Sequence, residues 1–235
     1  MNISHDSPAP RPYTVIPASK ISRGRLVGLK LLWGKIDDLQ EPLLPQEIPL
    51  VERAGVSRRR EVTASRTLAH YAMKELGVPP QPILWQNRAP LWPEGLWGSI
   101  THTSSHCAVV IARTNRVASL GIDLEMIGRV RHSLWKHVLN SSEREKLERA
   151  DEAWQPLAST IHFSAKEAFF KLQFPLSGGK WVDFEEVTVV ADPDGFFTLT
   201  CSASLPGIPP ILNGVWLQPV PGFILCLLAI PARMG

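Results

Sequence analysis

Apolar residues recur at three- and four-residue intervals between Ser57 and Leu76, and this periodicity predicts an amphipathic helix. Ser57 is the expected N-cap, and Gly77 followed by Pro79 is expected to end the helix. The expected buried stripe consists of Leu68, Ala69, Ala72, Met73 and Leu76.

The first turn of this predicted helix carries three consecutive arginines, Arg58, Arg59 and Arg60. Cations are disfavoured there, because the N-terminus of a helix is already the positive end of its dipole. Such a cluster favours a bound anion such as phosphate, which free backbone N–H groups and Arg66, about two turns further along, would also contact. A solvated basic face is the alternative, and the pattern alone leaves both open.

A second helical period covers residues 163–172, whose sequence is FSAKEAFFKL. Glu167 and Lys171 lie one turn apart on one face, where such a pair is ordinarily a surface salt bridge of about 0.3–0.5 kcal/mol. The alternative is a functional role for both charges. Pro175 and the glycines after it are expected to end this helix. The expected buried stripe consists of Ile161, Ala165, Ala168, Phe169 and Leu172.

Two apolar runs separated by a short turn predict neighbouring strands. Residues 107–112 (CAVVIA) and 117–125 (VASLGIDLE) flank a turn at 114–116, so we expect an antiparallel hairpin. Asp123 and Glu125 lie on the same side of the second strand, because side chains alternate along a strand. Two like charges on one face need a cation, unless this face is the solvent-exposed side of an edge strand.

The rest of the chain predicts one more short helix and several strands. The segment from Ser142 to Glu145 has the pattern of a capping box, and residues 1–20 form a proline-rich arm. Strands and a helix before residue 128 are followed by a helix and strands, which indicates an α+β fold with halves at 21–128 and 129–235. Further strands are expected at 25–32, 186–191, 196–202, 215–219 and 223–230.

Composition excludes several classes of protein. The 235 residues are 44% hydrophobic and 20% charged, as in globular proteins, and a net charge of +3 is too small to indicate nucleic-acid binding. Three cysteines without metal-binding spacing indicate neither a disulfide framework nor a zinc site. The N-terminus lacks a signal-peptide pattern, and the longest apolar run, 223–230, is too short for a membrane span, so we expect a cytoplasmic protein.

Asp123, Glu125 and Glu167 supply three carboxylates, and Lys171 lies one turn beyond the last of them. Hard oxygen ligands without cysteine suit Mg²⁺ held beside the phosphates of a substrate. Together with arginines that bind phosphate oxygens, this combination predicts transfer of a phosphorus-containing group. Neither GxxxxGK[ST] nor GxGxxG occurs, so a P-loop or Rossmann site is not supported.

Four motifs occur along the chain: Arg88-Ala-Pro90-Leu-Trp92-Pro93, Ser99-Ile-Thr101-His102-Thr103, Gly121-Ile-Asp123-Leu-Glu125 and Phe163-Ser-Ala-Lys166-Glu167-Ala-Phe-Phe-Lys171. In this order and combination they resemble the motifs of the 4′-phosphopantetheinyl transferases, in particular the monomeric surfactin/enterobactin-synthase type. The similarity covers about residues 58–190. It implies two similar α+β halves with the active site in the cleft between them.

The resemblance also implies a reaction. The phosphopantetheine arm of coenzyme A would be transferred to a serine of an apo acyl or peptidyl carrier protein, releasing adenosine 3′,5′-bisphosphate. Asp123, Glu125 and Glu167 would bind Mg²⁺, or Mn²⁺ in its place. Glu167, directly or through a metal-bound water, is the implied base, Lys171 would neutralise the leaving phosphate, and both are implied catalytic residues together with Asp123. The implied coenzyme A contacts are Arg59, Arg66, Arg88, Thr101, His102 and Lys171.

Some choices stay open at this point. Val62, Ser65 and Thr101 differ from the residues usual in the family, which leaves the choice among the three consecutive arginines undecided. Carrier domains of fatty-acid, polyketide and nonribosomal-peptide synthases share the modified serine, and the sequence does not choose among them. No nucleic-acid or membrane partner is expected, and the protein is expected to be a monomer. The alternatives are a non-catalytic binding protein for coenzyme A or a carrier, and a different Mg²⁺-dependent enzyme acting on a nucleotide diphosphate.

Overall fold

A computed structural model describes residues 11–17, 28–86 and 89–232. The helices are α1 (Val56–Glu75), α2 (Trp135–Val138), α3 (Ser141–Glu148) and α4 (Gln155–Leu176), with short 3-10 turns at Ile36–Asp38, Pro45–Leu50, His132–Leu134 and Phe184–Glu186. The strands are β1 (Thr14–Ile16), β2 (Lys30–Lys35), β3 (Leu84–Gln86), β4 (Ala89–Leu91), β5 (Leu96–His102), β6 (His106–Arg113), β7 (Val117–Met126), β8 (Val187–Asp192), β9 (Phe196–Cys201), β10 (Ile211–Leu217) and β11 (Phe223–Pro231).

The strands form two antiparallel sheets, and each sheet is covered by one long helix. The first sheet has the order β1-β2-β6-β5 and packs against α1, while the second has the order β7-β11-β10-β9-β8 and packs against α4. The small hairpin of β3 and β4 stands apart from both sheets. The prediction of an α+β fold with two similar halves is therefore confirmed.

The predicted hairpin of residues 107–112 and 117–125 is wrong. The two segments are strands, but β6 pairs with β2 and β5, whereas β7 pairs with β11 along almost its whole length. The short turn at 114–116 thus connects the two sheets. The boundary between the sheets precedes β7, so Asp123 and Glu125 share a sheet-and-helix unit with Glu167, and the predicted boundary at residue 128 does not divide the sheets.

Side chains join the free edges of the two sheets, which are β5 and β7. The N–H of Ile122 donates to Ser99 Oγ and the N–H of Leu124 donates to Thr101 Oγ1, each at 3.1 Å. These hydroxyl groups replace backbone carbonyls, because the edge of a sheet otherwise leaves strand N–H groups unpaired. Strand β7, which carries Asp123 and Glu125, is thereby fixed beside Thr101 and His102.

Close packing holds α4 against β7. A Cβ atom added at Gly121 would lie 1.9 Å from the carbonyl oxygen of Ala168, so only glycine permits this approach. Ser164 Oγ donates to the carbonyl of Asp123 at 3.0 Å, and Ser119 Oγ donates to the carbonyl of Leu172 at 2.7 Å. The predicted stripe of α4 is completely buried, with Ile161, Ala165, Ala168, Phe169 and Leu172 at most 1% exposed.

Helix ends differ slightly from the prediction. α1 begins at Val56 with Gly55 as N-cap, and Ser57 Oγ instead contacts Glu61 at 3.3 Å. The capping box of α3 uses Asn140 and Glu143, two residues before the predicted pair, because Asn140 also bonds to β8. α4 continues through Pro175 and ends at Leu176, before two glycines with positive φ.

The remaining expectations concern the chain termini and the strands. Of the predicted arm at 1–20, residues 11–17 are described and include β1, which pairs with β2. Of the strand expected at 25–32, residues 25–27 lie outside the described residues, and β2 begins at Lys30. The strands expected near 186–191, 196–202, 215–219 and 223–230 are present, and all three cysteines are buried and free. No helix in the described ranges is long and apolar enough to cross a bilayer.

Candidate active site

Asp123 and Glu125 are buried although β7 is an edge strand, with only 4% and 7% of their surfaces exposed. The alternative of a solvent-exposed carboxylate face is therefore wrong. Asp123 Oδ1 accepts from Lys171 Nζ at 2.7 Å and from Thr101 Oγ1 at 3.1 Å. Its other oxygen, Oδ2, is buried and has no hydrogen-bond partner among the described residues. A buried carboxylate oxygen in this condition is an available ligand atom.

Lys171 therefore does not pair with Glu167, its neighbour one turn earlier on α4. Its ammonium group lies on Asp123, across the interface between α4 and β7. Within the described part of the chain, the carboxylate of Glu167 makes no hydrogen bond and no salt bridge. Of the two interpretations of the E-x-x-x-K spacing, the surface salt bridge is the one that the structure contradicts.

The environment of Asp123 raises the pKa of both neighbouring glutamates. Burial, and then the charge of Asp123, raise the pKa of Glu125 to about 7 and also raise the pKa of Glu167. Arg129 opposes this effect at Glu125, where its Nη1 donates to Oε2 at 3.0 Å. The strand and helix together thus concentrate negative charge that a cation would stabilise.

A cavity of about 490 Å³ lies between the two units and brings most predicted residues together. Asp123, Glu167 and Lys171 line it, as do Thr101 and His102 from the end of β5. Glu125 does not line this cavity and is instead turned to Arg129. The aromatic part of the wall consists of Trp85, Trp92, Trp97, Phe170, Phe174 and Trp181.

The first turn of α1 contributes Arg58 to the cavity rather than the predicted Arg59. Arg58 Nη1 donates to His102 Nε2 at 3.0 Å, which requires that this ring nitrogen carry no proton. Burial lowers the pKa of His102, and the nearby cations Arg58 and Lys171 lower it further. Arg60 points elsewhere and pairs with Asp37. One turn of helix therefore presents one of three arginines to the site.

Arg66 also lines the cavity, although it is only 2% exposed. Its Nε donates to the carbonyl of Ile83 at 2.8 Å and its guanidinium lies over the ring of Trp85. Burial lowers its pKa to about 10, still well above neutrality, so the charge is retained. Its Nη2 has no hydrogen-bond partner among the described residues. This unsatisfied buried donor suits an anionic ligand.

Sequence reasoning missed Glu47, which is completely buried beside Arg66. Its Oε1 lies 3.9 Å from Arg66 Nε, accepts from the N–H of Ile83 at 2.9 Å and contacts His70 Nε2 at 3.1 Å. Burial alone would raise the pKa of Glu47, but the hydrogen bonds from His70 and Ile83 together lower it. The residue lies in a proline-rich segment whose pattern carries no periodic signal.

Arg88, another predicted coenzyme A contact, lies outside the described residues, as does Asn87. The neighbouring part of that motif is described, and Pro90 and Trp92 line the cavity. Trp92 covers β5 at Gly98, where an added Cβ would lie 2.4 Å from the indole ring. The tryptophan-rich connection thus forms one wall of the site.

The donors at this site fit a hard divalent cation. Asp123 offers an unpaired carboxylate oxygen, Glu167 lines the same cavity, and neither sulfur nor imidazole is required. No group of three or more His, Cys, Asp or Glu residues has metal-binding geometry in the described ranges. The third predicted ligand, Glu125, would have to exchange Arg129 for the metal.

Two family models match consecutive parts of the chain. One, described as the 4′-phosphopantetheinyl transferase N-terminal domain, matches residues 46–112, and the other, the 4′-phosphopantetheinyl transferase superfamily, matches residues 119–211. The division between them falls at the turn between β6 and β7. This position agrees with the division between the two sheets.

Several curated proteins are similar to the chain. The 4′-phosphopantetheinyl transferase Svp of Streptomyces mobaraensis is 39% identical over 76% of this chain and 72% of its own length. The transferase Npt of Nocardia iowensis is 33% identical over 79% and 88%, and enterobactin synthase component D of Salmonella typhi is 38% identical over 50% and 49%. A holo-[acyl-carrier-protein] synthase of Thermotoga maritima superposes over 50% of this chain and 65% of its own, with a TM-score of 0.41 and 21% identity. With both family models and relatives of this coverage, the chain belongs to the 4′-phosphopantetheinyl transferase superfamily and is a transferase.

Proposed function

We propose that the protein transfers the 4′-phosphopantetheine arm of coenzyme A to a serine of an apo carrier protein, releasing adenosine 3′,5′-bisphosphate. One observation carries the proposal. Asp123, with one unpaired oxygen, lies beside Lys171 in a cavity that Glu167, Arg58, His102 and Arg66 also line. The same cavity thus holds cationic side chains that can contact a pyrophosphate and a carboxylate that can bind a metal ion beside it.

The cavity also suits the two chemically different parts of coenzyme A. Arg58, His102 and Arg66 would bind the phosphate-rich nucleotide end, and Arg66 has an unsatisfied donor for it. The aromatic side chains would pack against the pantetheine arm, which carries amides and methyl groups but no charge. Arg88 stays a predicted contact, whereas Arg59 does not line the cavity and is not included in the proposal.

The reaction requires one bond to form and one to break at the phosphorus nearest the pantetheine arm. The carrier serine oxygen attacks this phosphorus, and the bond to the bridging oxygen of the pyrophosphate breaks. Glu167 accepts the serine proton, and its raised pKa makes it a stronger base than an ordinary carboxylate. Lys171, held by Asp123, stabilises the negative charge that develops on the leaving phosphate.

Mg²⁺, or Mn²⁺ in its place, would be held by Asp123 and Glu167, with Glu125 after release from Arg129, and would neutralise the pyrophosphate. Thr101 keeps the carboxylate of Asp123 oriented by donating to the oxygen that also accepts from Lys171. The unpaired oxygen is consequently the one left for a ligand. Cytoplasmic location and a monomeric state stay predictions.

The test is an incubation with coenzyme A, Mg²⁺ and apo carrier domains from fatty-acid, polyketide and nonribosomal-peptide synthases, followed by intact mass spectrometry. We expect at least one carrier to gain the mass of phosphopantetheine, and the gain to disappear when EDTA replaces Mg²⁺. A carrier whose serine is changed to alanine is the matched control. Coenzyme A binding without a mass gain on any carrier would favour the non-catalytic binding protein and contradict the proposal.

A further inference from the structure

Lys166 precedes the proposed base and does not face the cavity. Its ammonium group is completely buried and donates to Glu143 Oε2 at 2.6 Å, to the carbonyl of Val138 at 2.9 Å and to the carbonyl of Phe184 at 2.9 Å. All three donors of the ammonium group therefore have acceptors. A buried charge with complete hydrogen bonding is available for no ligand.

Glu143 connects this lysine to the rest of the second unit. Its Oε2 also accepts from the N–H of Asn140 at 2.8 Å, which closes the capping box of α3. Its Oε1 accepts from the N–H of Val189 on β8 at 2.6 Å. The carboxylate of Glu143 therefore connects α3, α4 and β8. Lys166 connects the same group to the end of α2 at Val138 and to the start of the turn at Phe184–Glu186.

Stability alone does not account for this arrangement. The cost of removing both charges from water often equals or exceeds their attraction, and apolar residues frequently replace such pairs without loss of stability. An apolar contact, however, permits a helix to rotate or slide, whereas five hydrogen bonds to fixed backbone and side-chain groups do not. The pair is thus suited to fixing the orientation of α4.

The orientation of α4 determines the geometry of the cavity. Consecutive residues on a helix point about 100° apart, so a rotation of α4 about its axis moves Glu167 relative to Asp123. Lys166 contacts the side of α4 that faces α3, while Glu167 and Lys171 line the cavity on another side. The carboxylate of Glu167 has no hydrogen bond or salt bridge within the described ranges to hold its position.

We propose that the Lys166–Glu143 ion pair is a positioning device, which holds α4 at the rotation that directs Glu167 and Lys171 towards Asp123. This inference rests on the proposed function. Neither residue lines the cavity, so both would act as positioning residues. Their loss should slow the chemical step and leave coenzyme A binding nearly unchanged, because the cavity residues proposed to bind the nucleotide lie on α1 and β5.

The test compares Lys166→Met, which keeps the length of the side chain without its charge, with Glu143→Gln, which keeps the shape of the carboxylate. In the carrier assay we expect kcat to fall about tenfold or more, since small displacements of reacting groups carry penalties of this size. The KM for coenzyme A should stay within about twofold of wild type. If Lys166→Met does not fold, Glu143→Gln decides the result alone.

A matched control separates positioning from general loss of stability. Leu199→Ala creates a cavity in the core beneath α4, on β9, and should lower the melting temperature without altering kcat below that temperature. Equal losses of kcat in the control and in the ion-pair variants would overturn the inference, as would wild-type kcat in a folded Lys166→Met protein. If wild-type protein itself transfers nothing, the proposed function fails and the inference falls with it.

Discussion

The two lysines of α4 occupy opposite kinds of environment, although they lie only five positions apart in the sequence. Lys166 is fully buried against Glu143, and every donor of its ammonium group has an acceptor. The side chain of Lys171 is 27% exposed to the cavity, and its partner Asp123 keeps one buried oxygen without a hydrogen bond. One ion pair is complete within the protein, and the other is not.

This difference distinguishes a structural ion pair from a binding site. Folding normally satisfies buried polar atoms, so an unpaired polar atom of a residue that lines a cavity marks a place where a ligand can supply the partner. Asp123 Oδ2 and Arg66 Nη2 are such atoms, and both belong to residues that line the same cavity. We therefore expect the chemistry to take place on the side of α4 that carries the incomplete ion pair, and changes there to have the largest effects.

Removal of the cavity carboxylates should have the largest effect. We expect Asp123→Ala and Glu167→Ala to lower transfer at least about a thousandfold, because each would remove a proposed metal ligand and Glu167→Ala also the proposed base. Coenzyme A should still bind measurably by calorimetry, through Arg58, Arg66 and His102. Glu145→Ala, on an exposed surface pair, is the control and should transfer normally. Near-normal turnover in either cavity variant would contradict the assignment.

Lys171→Met should lower kcat by about a hundredfold, the usual consequence of losing one group that stabilises charge in the transition state. The KM for coenzyme A should change much less, because the charge on the leaving phosphate develops during the reaction. Steady-state kinetics with a saturating carrier measures both constants. A large rise in KM with an unchanged kcat would show that Lys171 only binds the ground state.

The pH dependence of stability should report on Glu125. The pKa of Glu125 is raised from the ordinary glutamate value of 4.5 to about 7. Between these two pH values the folded protein therefore binds more protons than the unfolded chain. Its contribution to the free energy of unfolding therefore falls as pH rises through this range, by on the order of 2 kcal/mol. The melting temperature of wild type should fall relative to Glu125→Gln between pH 4.5 and 7.5.

A matched measurement with metal completes this test. Mg²⁺ at pH 7.5 should raise the melting temperature of wild type more than that of Glu125→Gln, since a bound cation removes the repulsion with Asp123. Parallel pH curves for the two proteins would contradict the raised pKa. Equal responses to Mg²⁺ would show that Glu125 is not a ligand.

The arginines of α1 should show the smallest and most selective effects. Arg58→Ala and His102→Ala should each raise the KM for coenzyme A by about tenfold with little change in kcat, as expected for uniform binding contacts. Arg59→Ala should leave both constants unchanged, because only Arg58 of the three lines the cavity. The reverse pattern would restore the sequence-based choice of Arg59.

Several residues of the site could be predicted from short sequence motifs. Asp123 and Glu125 follow from strand alternation, Glu167 and Lys171 from helix periodicity, and Thr101 and His102 from the resemblance. The pairing of β7 with β11 was not predictable from local pattern, because a short turn after β6 suits a hairpin equally well. The burial of Lys166 and Glu47 depends on partners 23 and 36 residues away, which periodicity does not record.

The choice among the arginines shows the same limit. Three consecutive residues at the start of α1 point in directions about 100° apart, and a shift of one residue in the helix start changes which of them faces the ligand. The prediction placed the N-cap at Ser57, whereas the helix begins at Val56 after Gly55. Sequence therefore located the basic cluster but not its contacting member.

The central claim is that Glu167 acts in the chemical step and not in holding coenzyme A. The most direct measurement uses one sample of Glu167→Gln and one of wild type, with coenzyme A affinity determined by calorimetry and single-turnover transfer to an apo carrier followed by intact mass. The account predicts similar affinities and a loss of transfer of at least about a thousandfold in the variant. Transfer at the wild-type rate, or loss of coenzyme A binding as large as the loss of transfer, would contradict it.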